Sequence, residues 1–126
     1  MIKNILLVGA GGGIGSILRY LCQKWVYQLY PSIFPWGTFL VNIVGCFLIG
    51  VFFAASEKAT VVTAGWRLFL MTGICGGYTT FSAFAFENMN LVRSGNATYM
   101  LLYSIGSVVL GILAVFAGAG LMKLLL

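Results

Sequence analysis

Four long apolar runs with almost no charge inside them constrain this chain more than any motif does. They lie at about 4–24, 37–55, 66–90 and 98–121 of 126 residues. A helix crosses the hydrocarbon of a bilayer in about 20 apolar residues, so four such runs consume nearly the whole sequence. Composition closes the soluble alternative. The chain is 61% hydrophobic and 7% charged, whereas soluble domains carry roughly 25% charged residues. A small soluble fold also leaves too much surface exposed to hide that apolar content. The sequence therefore predicts an all-α integral membrane protein: one domain, 1–126, of four transmembrane helices embedded in a lipid bilayer. Four short helices are too few to surround a wide aqueous pore, so a conducting protein built from them would be an oligomer.

The charged residues exclude several functions. Seven Lys/Arg stand against two Asp/Glu, but the bases are scattered singly and form no stripe for a nucleic-acid backbone. They read as loop anchors facing lipid headgroups. With no histidine, histidine metal sites and proton relays are excluded, and no nucleophile–base pair suggests an enzyme. Cys22, Cys46 and Cys75 sit in apolar segments without CxxC spacing and read as small core residues. Lys3, Lys58, Arg67 and Lys123 fall on one side of the membrane; Lys24, Arg93 and, near the interface, Arg19 fall on the other. So weak a bias lets either orientation insert. The first run follows Lys3 as a signal peptide would, yet continues past Gly15 to Leu21 without a convincing cleavage site.

Within the runs, polar and small residues are placed selectively. Gly9/Gly13, Gly11/Gly15 and Gly73/Gly77 are GxxxG pairs that allow close helix approach in lipid; no register of the Gly9–Ser16 segment gives the nucleotide fingerprint GxGxxG. Arg19 is either a snorkelling anchor or a positive charge that attracts anions, and its ion-pair candidates are Glu57 and Glu87. Thr38, Asn42 and Gly45 share one helix face, where the Asn42 amide either bonds a neighbouring helix or lines a pore. The third run is poor helix material at Gly76-Gly77-Tyr78-Thr79-Thr80, which predicts a helix broken near its middle. Backbone groups freed at such a break are tolerated only when buried in protein or lining a cavity, and freed carbonyls are a ready cation site. Directly after it, Phe81 and Phe84 stack on one face beside the Ser82 hydroxyl. In the last run Tyr99, Tyr103 and Ser107 form a polar track at four-residue spacing, for interhelical bonding or for a pore.

An amide, several hydroxyls and aromatic ring edges, which carry the positive end of the ring quadrupole, suit a small, strongly hydrated anion. A cation channel more typically shows rings of carboxylates. Two rival readings are a small four-helix multidrug or cation exporter, whose only plausible in-span acid is Glu87, and a non-transporting membrane subunit.

The segments Gly12-Gly13-Ile14-Gly15-Ser16-Ile17-Leu18-Arg19-Tyr20, Gly37-Thr38-Phe39-Leu40-Val41-Asn42-Ile43-Val44-Gly45 and Gly73-Ile74-Cys75-Gly76-Gly77-Tyr78-Thr79-Thr80-Phe81-Ser82-Ala83-Phe84, with Glu87, resemble the Fluc (CrcB) fluoride channels. The resemblance implies an antiparallel, dual-topology homodimer with two fluoride pores that relieves cytoplasmic fluoride, in a bacterial inner membrane. It implies that Asn42 donates to the fluoride ion and that Phe81 and Phe84 present ring edges to it. Tyr103 and Ser107 would continue the track, and Arg19 would lie near a vestibule. Carbonyls of Gly76 and Thr79 from both subunits would hold a structural sodium ion (Na+). The family often carries another hydroxyl where this chain has Gly111.

Overall fold

The computed structural model describes residues 1–58 and 62–126. It is all-helical, and four of its helices are long and apolar enough to cross a membrane. Helix α1 spans Ile2–Leu29, α2 spans Trp36–Lys58 and α5 spans Ala97–Leu125. The third crossing is composite. It starts at Ala64–Arg67, runs as a wider π-type helix through Leu68–Cys75 and closes with the turn Gly76–Tyr78; these pieces together are α3 (64–78). After a gap of two residues, α4 covers Phe81–Arg93.

Each crossing is longer than the apolar run that announces it. The expected connector from Lys24 is helical to Leu29, because nothing between Trp25 and Leu29 opposes a helix. Pro31 stops it, since the residue before a proline is pushed out of helical conformation. At about 1.5 Å per residue α1 is about 42 Å long, so its ends reach past the roughly 30 Å hydrocarbon layer into the headgroups. Helix α2 begins directly after Pro35, whose carbonyl accepts the Phe39 N–H at 3.0 Å.

Small residues decide which helices touch. The two tightest pairs are α2 with α5 and α1 with α3. A methyl group on Gly11 or Gly15 would run into the carbonyls of Phe69 or Ile74 on α3, and one on Gly77 into Gly12 on α1. Gly50 and Gly118 play the same part between α2 and α5, each lying against the other helix's backbone at Val115 and Phe47. The Gly9/Gly13 pair faces open space instead; it sits on the side of α1 turned away from α3, so its spacing has no partner among the described residues. The buried core is small and includes Val41, Ala54, Cys75, Tyr78, Leu91 and Tyr103. Ile105 and Phe116 remain 62% and 72% exposed, as suits helices surrounded by lipid.

The break in the third crossing lies at Thr79 and Thr80, both in extended conformation (φ/ψ −82°/156° and −149°/121°). Gly76 and Gly77, although poor helix formers, are helical. Gly77 serves the close approach to Gly12 rather than the bend, and the β-branched threonines that follow take the extended turn. Thr80 then caps α4, its Oγ1 accepting the Ala83 N–H at 3.2 Å.

Candidate functional site

The break frees backbone groups inside the membrane-spanning region, and Asn42 on α2 satisfies those of Thr80. Thr80 N–H donates to Asn42 Oδ1 at 2.8 Å, and Asn42 Nδ2 donates to the Thr80 carbonyl at 3.1 Å. The Asn42 amide is thus an interhelical bond, the first of its two readings. One N–H is committed to a neighbouring helix, and the primary amide has a second N–H to offer. Because Thr80 N–H turns to Asn42, the Gly76 carbonyl loses the partner four residues on that an unbroken helix would supply. Arg19 Nε donates to the next carbonyl, Gly77, at 3.2 Å. A cation there meets the negative end of the half-helix dipole. Its partner is thus a backbone carbonyl, not Glu57 or Glu87.

Beside the break lies a cavity of about 310 Å³ lined by Asn42, Cys46, Phe81, Phe84, Ser107 and Thr80, among others. Among the described residues, no Asp, Glu, Lys or Arg lines it. Ser107 Oγ is buried in its wall and has no hydrogen-bond partner among the described residues. The rings of Phe81 and Phe84 are 5.6 Å apart between centroids and tilted by 42°. Phe81 is 78% exposed, so one wall of the cavity is open.

A second chamber of about 480 Å³ is lined by Gln23, Lys24, Tyr27, Thr38 and Glu87 among others. Here the hydrogen bonds form a chain. Gln23 Nε2 donates to Thr38 Oγ1 at 2.9 Å, Thr38 Oγ1 donates to Glu87 Oε1 at 2.6 Å, and Tyr103 O–H donates to Glu87 Oε2 at 3.1 Å. Tyr103 is fully buried and touches a wall residue of each chamber, its hydroxyl bonded to Glu87 and its ring 4.9 Å from that of Phe84.

The predicted set thus divides. Asn42, Phe81, Phe84 and Ser107 meet at the first cavity, Thr38 belongs to the second, and Tyr103 stands between with its proton engaged by Glu87. Ser82 is exposed and lies 3.4 Å from the Thr80 hydroxyl, outside both chambers. Cys75 is a core residue, but Cys46 is a cavity wall. Gln23 carries no signal in the sequence, because its role depends on how α1 is rotated against α2. Glu87 could be suspected from its position three residues after Phe84 on one helix face.

A match to the family model described as "CrcB-like protein, Camphor Resistance (CrcB)" runs over residues 6–119, which takes in the break, both chambers and all four crossings. The chain belongs to the CrcB family. It is 49% identical over 116 residues to a fluoride-specific ion channel FluC of Phocaeicola vulgatus, covering 92% of this chain and 95% of that protein. A FluC of Rhizobium meliloti is 47% identical over 121 residues, 96% of this chain and 97% of the relative. One from Flavobacterium psychrophilum is 46% identical over 116 residues, 92% and 94% respectively. Four crossings and bacterial CrcB-family relatives make this a multi-pass protein of the bacterial plasma membrane.

Proposed function

We propose that this protein is a passive, fluoride-selective channel that lets fluoride leave the cytoplasm and so confers fluoride resistance. The observation that carries the reading is the first cavity: it offers donors and ring edges, and no full charge. Fluoride binds its water tightly, so a pore must replace that water without holding the ion. The spare Asn42 N–H and the Ser107 O–H can replace part of the hydration shell. The ring edges of Phe81 and Phe84 add weak positive potential, and the absence of a fixed cation keeps the site shallow enough to leave. Relatives carrying the name fluoride-specific ion channel over nearly the whole chain support the choice of ion.

The working unit in this proposal is an antiparallel homodimer with two pores. The weak base asymmetry, which lets either orientation insert, supports it, as does the exposed Phe81, for which a second copy would supply the missing wall. A structural sodium ion at the dimer centre would bind the Gly76 and Thr79 carbonyls. Sodium is a hard cation that takes oxygen ligands, and Gly76 is exposed with a carbonyl released by the break. Two carbonyls from one chain are too few for it, so the second copy's pair would complete the set.

Replacing either ring tests the reading. Phe81→Ile and Phe84→Ile keep apolar bulk and remove the ring edge, and each should abolish fluoride flux from reconstituted protein that still elutes as the folded species. Wild-type flux in both variants would remove the rings from the pathway.

A further inference from the structure

On α5, Tyr99, Tyr103 and Ser107 recur every fourth residue, and the next position in that series, Gly111, has no side chain. Gly111 is nevertheless buried. The space beside it is filled from α2: a methyl group built on Gly111 would stand 3.5 Å from Cys46 Sγ, at ordinary van der Waals contact. Cys46 follows Asn42 by one helical turn on the same face of α2, and both line the cavity that also takes in Ser107. Ser107 Oγ is buried there without a partner among the described residues. A buried hydroxyl left unpaired is costly unless something entering the cavity satisfies it. The α2–α5 seam thus carries Asn42 and Cys46 on one side, and Ser107 and an empty position on the other.

We propose that Cys46 lines the ion path and that its S–H, a weak donor on a polarisable atom, takes over from α2 the donor place that α5 leaves vacant at Gly111. This rests on the channel reading above. An anion leaving Ser107 then meets the thiol next, and a group added to that sulfur occupies the cavity and stops the flow.

Methyl methanethiosulfonate applied to the full-length protein in proteoliposomes tests this. The Cys46 sulfur attacks the sulfenyl sulfur of the reagent and forms a disulfide to the methylthio group. The bond to the sulfonyl sulfur breaks, methanesulfinate leaves, and the thiol proton passes to water. In a Cys22→Ser/Cys75→Ala background, one methylthio group per chain by intact mass should accompany at least a tenfold fall in fluoride efflux, reversed by a thiol reductant. Adding Cys46→Ser to that background should give efflux that does not change on treatment. No labelling of Cys46, or complete labelling with undiminished efflux, would overturn the proposal. The donor assignment has its own comparison: Cys46→Val, close in size but without a donor, should carry fluoride at least tenfold more slowly than Cys46→Ser, and equal rates would overturn it. Untreated protein that releases no fluoride fails the channel reading itself, before any reagent is added.

Discussion

Asn42→Asp changes one NH₂ group to an oxygen and leaves the shape of the side chain alone, so its effect can be worked from two hydrogen bonds. The bond from Thr80 N–H to Oδ1, at 2.8 Å, survives. The bond from Nδ2 to the Thr80 carbonyl, at 3.1 Å, becomes an oxygen facing an oxygen. A buried carbonyl left unpaired costs about 1–3 kcal/mol, and an aspartate near the centre of a spanning helix adds about 2.5–3.5 kcal/mol. The sum is roughly 3.5–6.5 kcal/mol against the native geometry of the break. At about 1.4 kcal/mol per factor of ten, that is roughly two and a half to four and a half orders of magnitude in its population. Fluoride efflux from proteoliposomes should fall at least 100-fold while the purified protein stays monodisperse and melts at a lower temperature. Asn42→Leu, which strands both Thr80 groups without adding charge, separates anchoring from electrostatics and should also lower the melting temperature. Efflux within threefold of wild type in a folded Asn42→Asp protein would refute the reasoning, because the break would then not depend on this amide.

The helix contacts make two further predictions and the weak base asymmetry a third. Gly15→Val and Gly50→Val force a side chain into the backbone of the facing helix and should each destabilise the fold by about 1–3 kcal/mol, read as a lower melting temperature in detergent; Gly13→Ala, on the open face, should stay within about 0.5 kcal/mol of wild type. Arg19→Gln loses the charged bond to the Gly77 carbonyl at a half-buried site and should cost about 1 kcal/mol, checked in the same melt, where an unchanged melting temperature would show the bond to be idle. Reporters active on one membrane face, fused to the C-terminus, should report both orientations in comparable amounts, and a single orientation would remove the antiparallel arrangement.

Much of the fold is legible because lipid makes hydrophobic length decisive: each apolar run became a crossing, extended where no proline interrupted. The break too could be read, but not its cause. Gly76-Gly77 looks like the weak point, but Gly77 also stands in the Gly73/Gly77 pair, and its contact with Gly12 on α1 decides for close packing and leaves the bend to Thr79 and Thr80. Thr38 and Asn42 illustrate the limit of periodicity. They share a face of α2, but one turn along the axis separates a chamber closed by Glu87 from one closed by Ser107. Gln23 and Cys46 were not legible as site residues, because their neighbours are set by the rotation of one helix against another. The π-type stretch of α3 likewise has no local signature, since Leu68–Cys75 would serve equally well as ordinary helix.

The most direct test of the central claim is ion efflux from liposomes that contain this protein alone. Vesicles loaded with potassium fluoride, and matched vesicles loaded with potassium chloride, would be triggered with a potassium ionophore and followed with ion-selective electrodes. A fluoride-selective channel should release fluoride rapidly and retain chloride. No fluoride release from well-folded protein, or equal release of both ions, would contradict it.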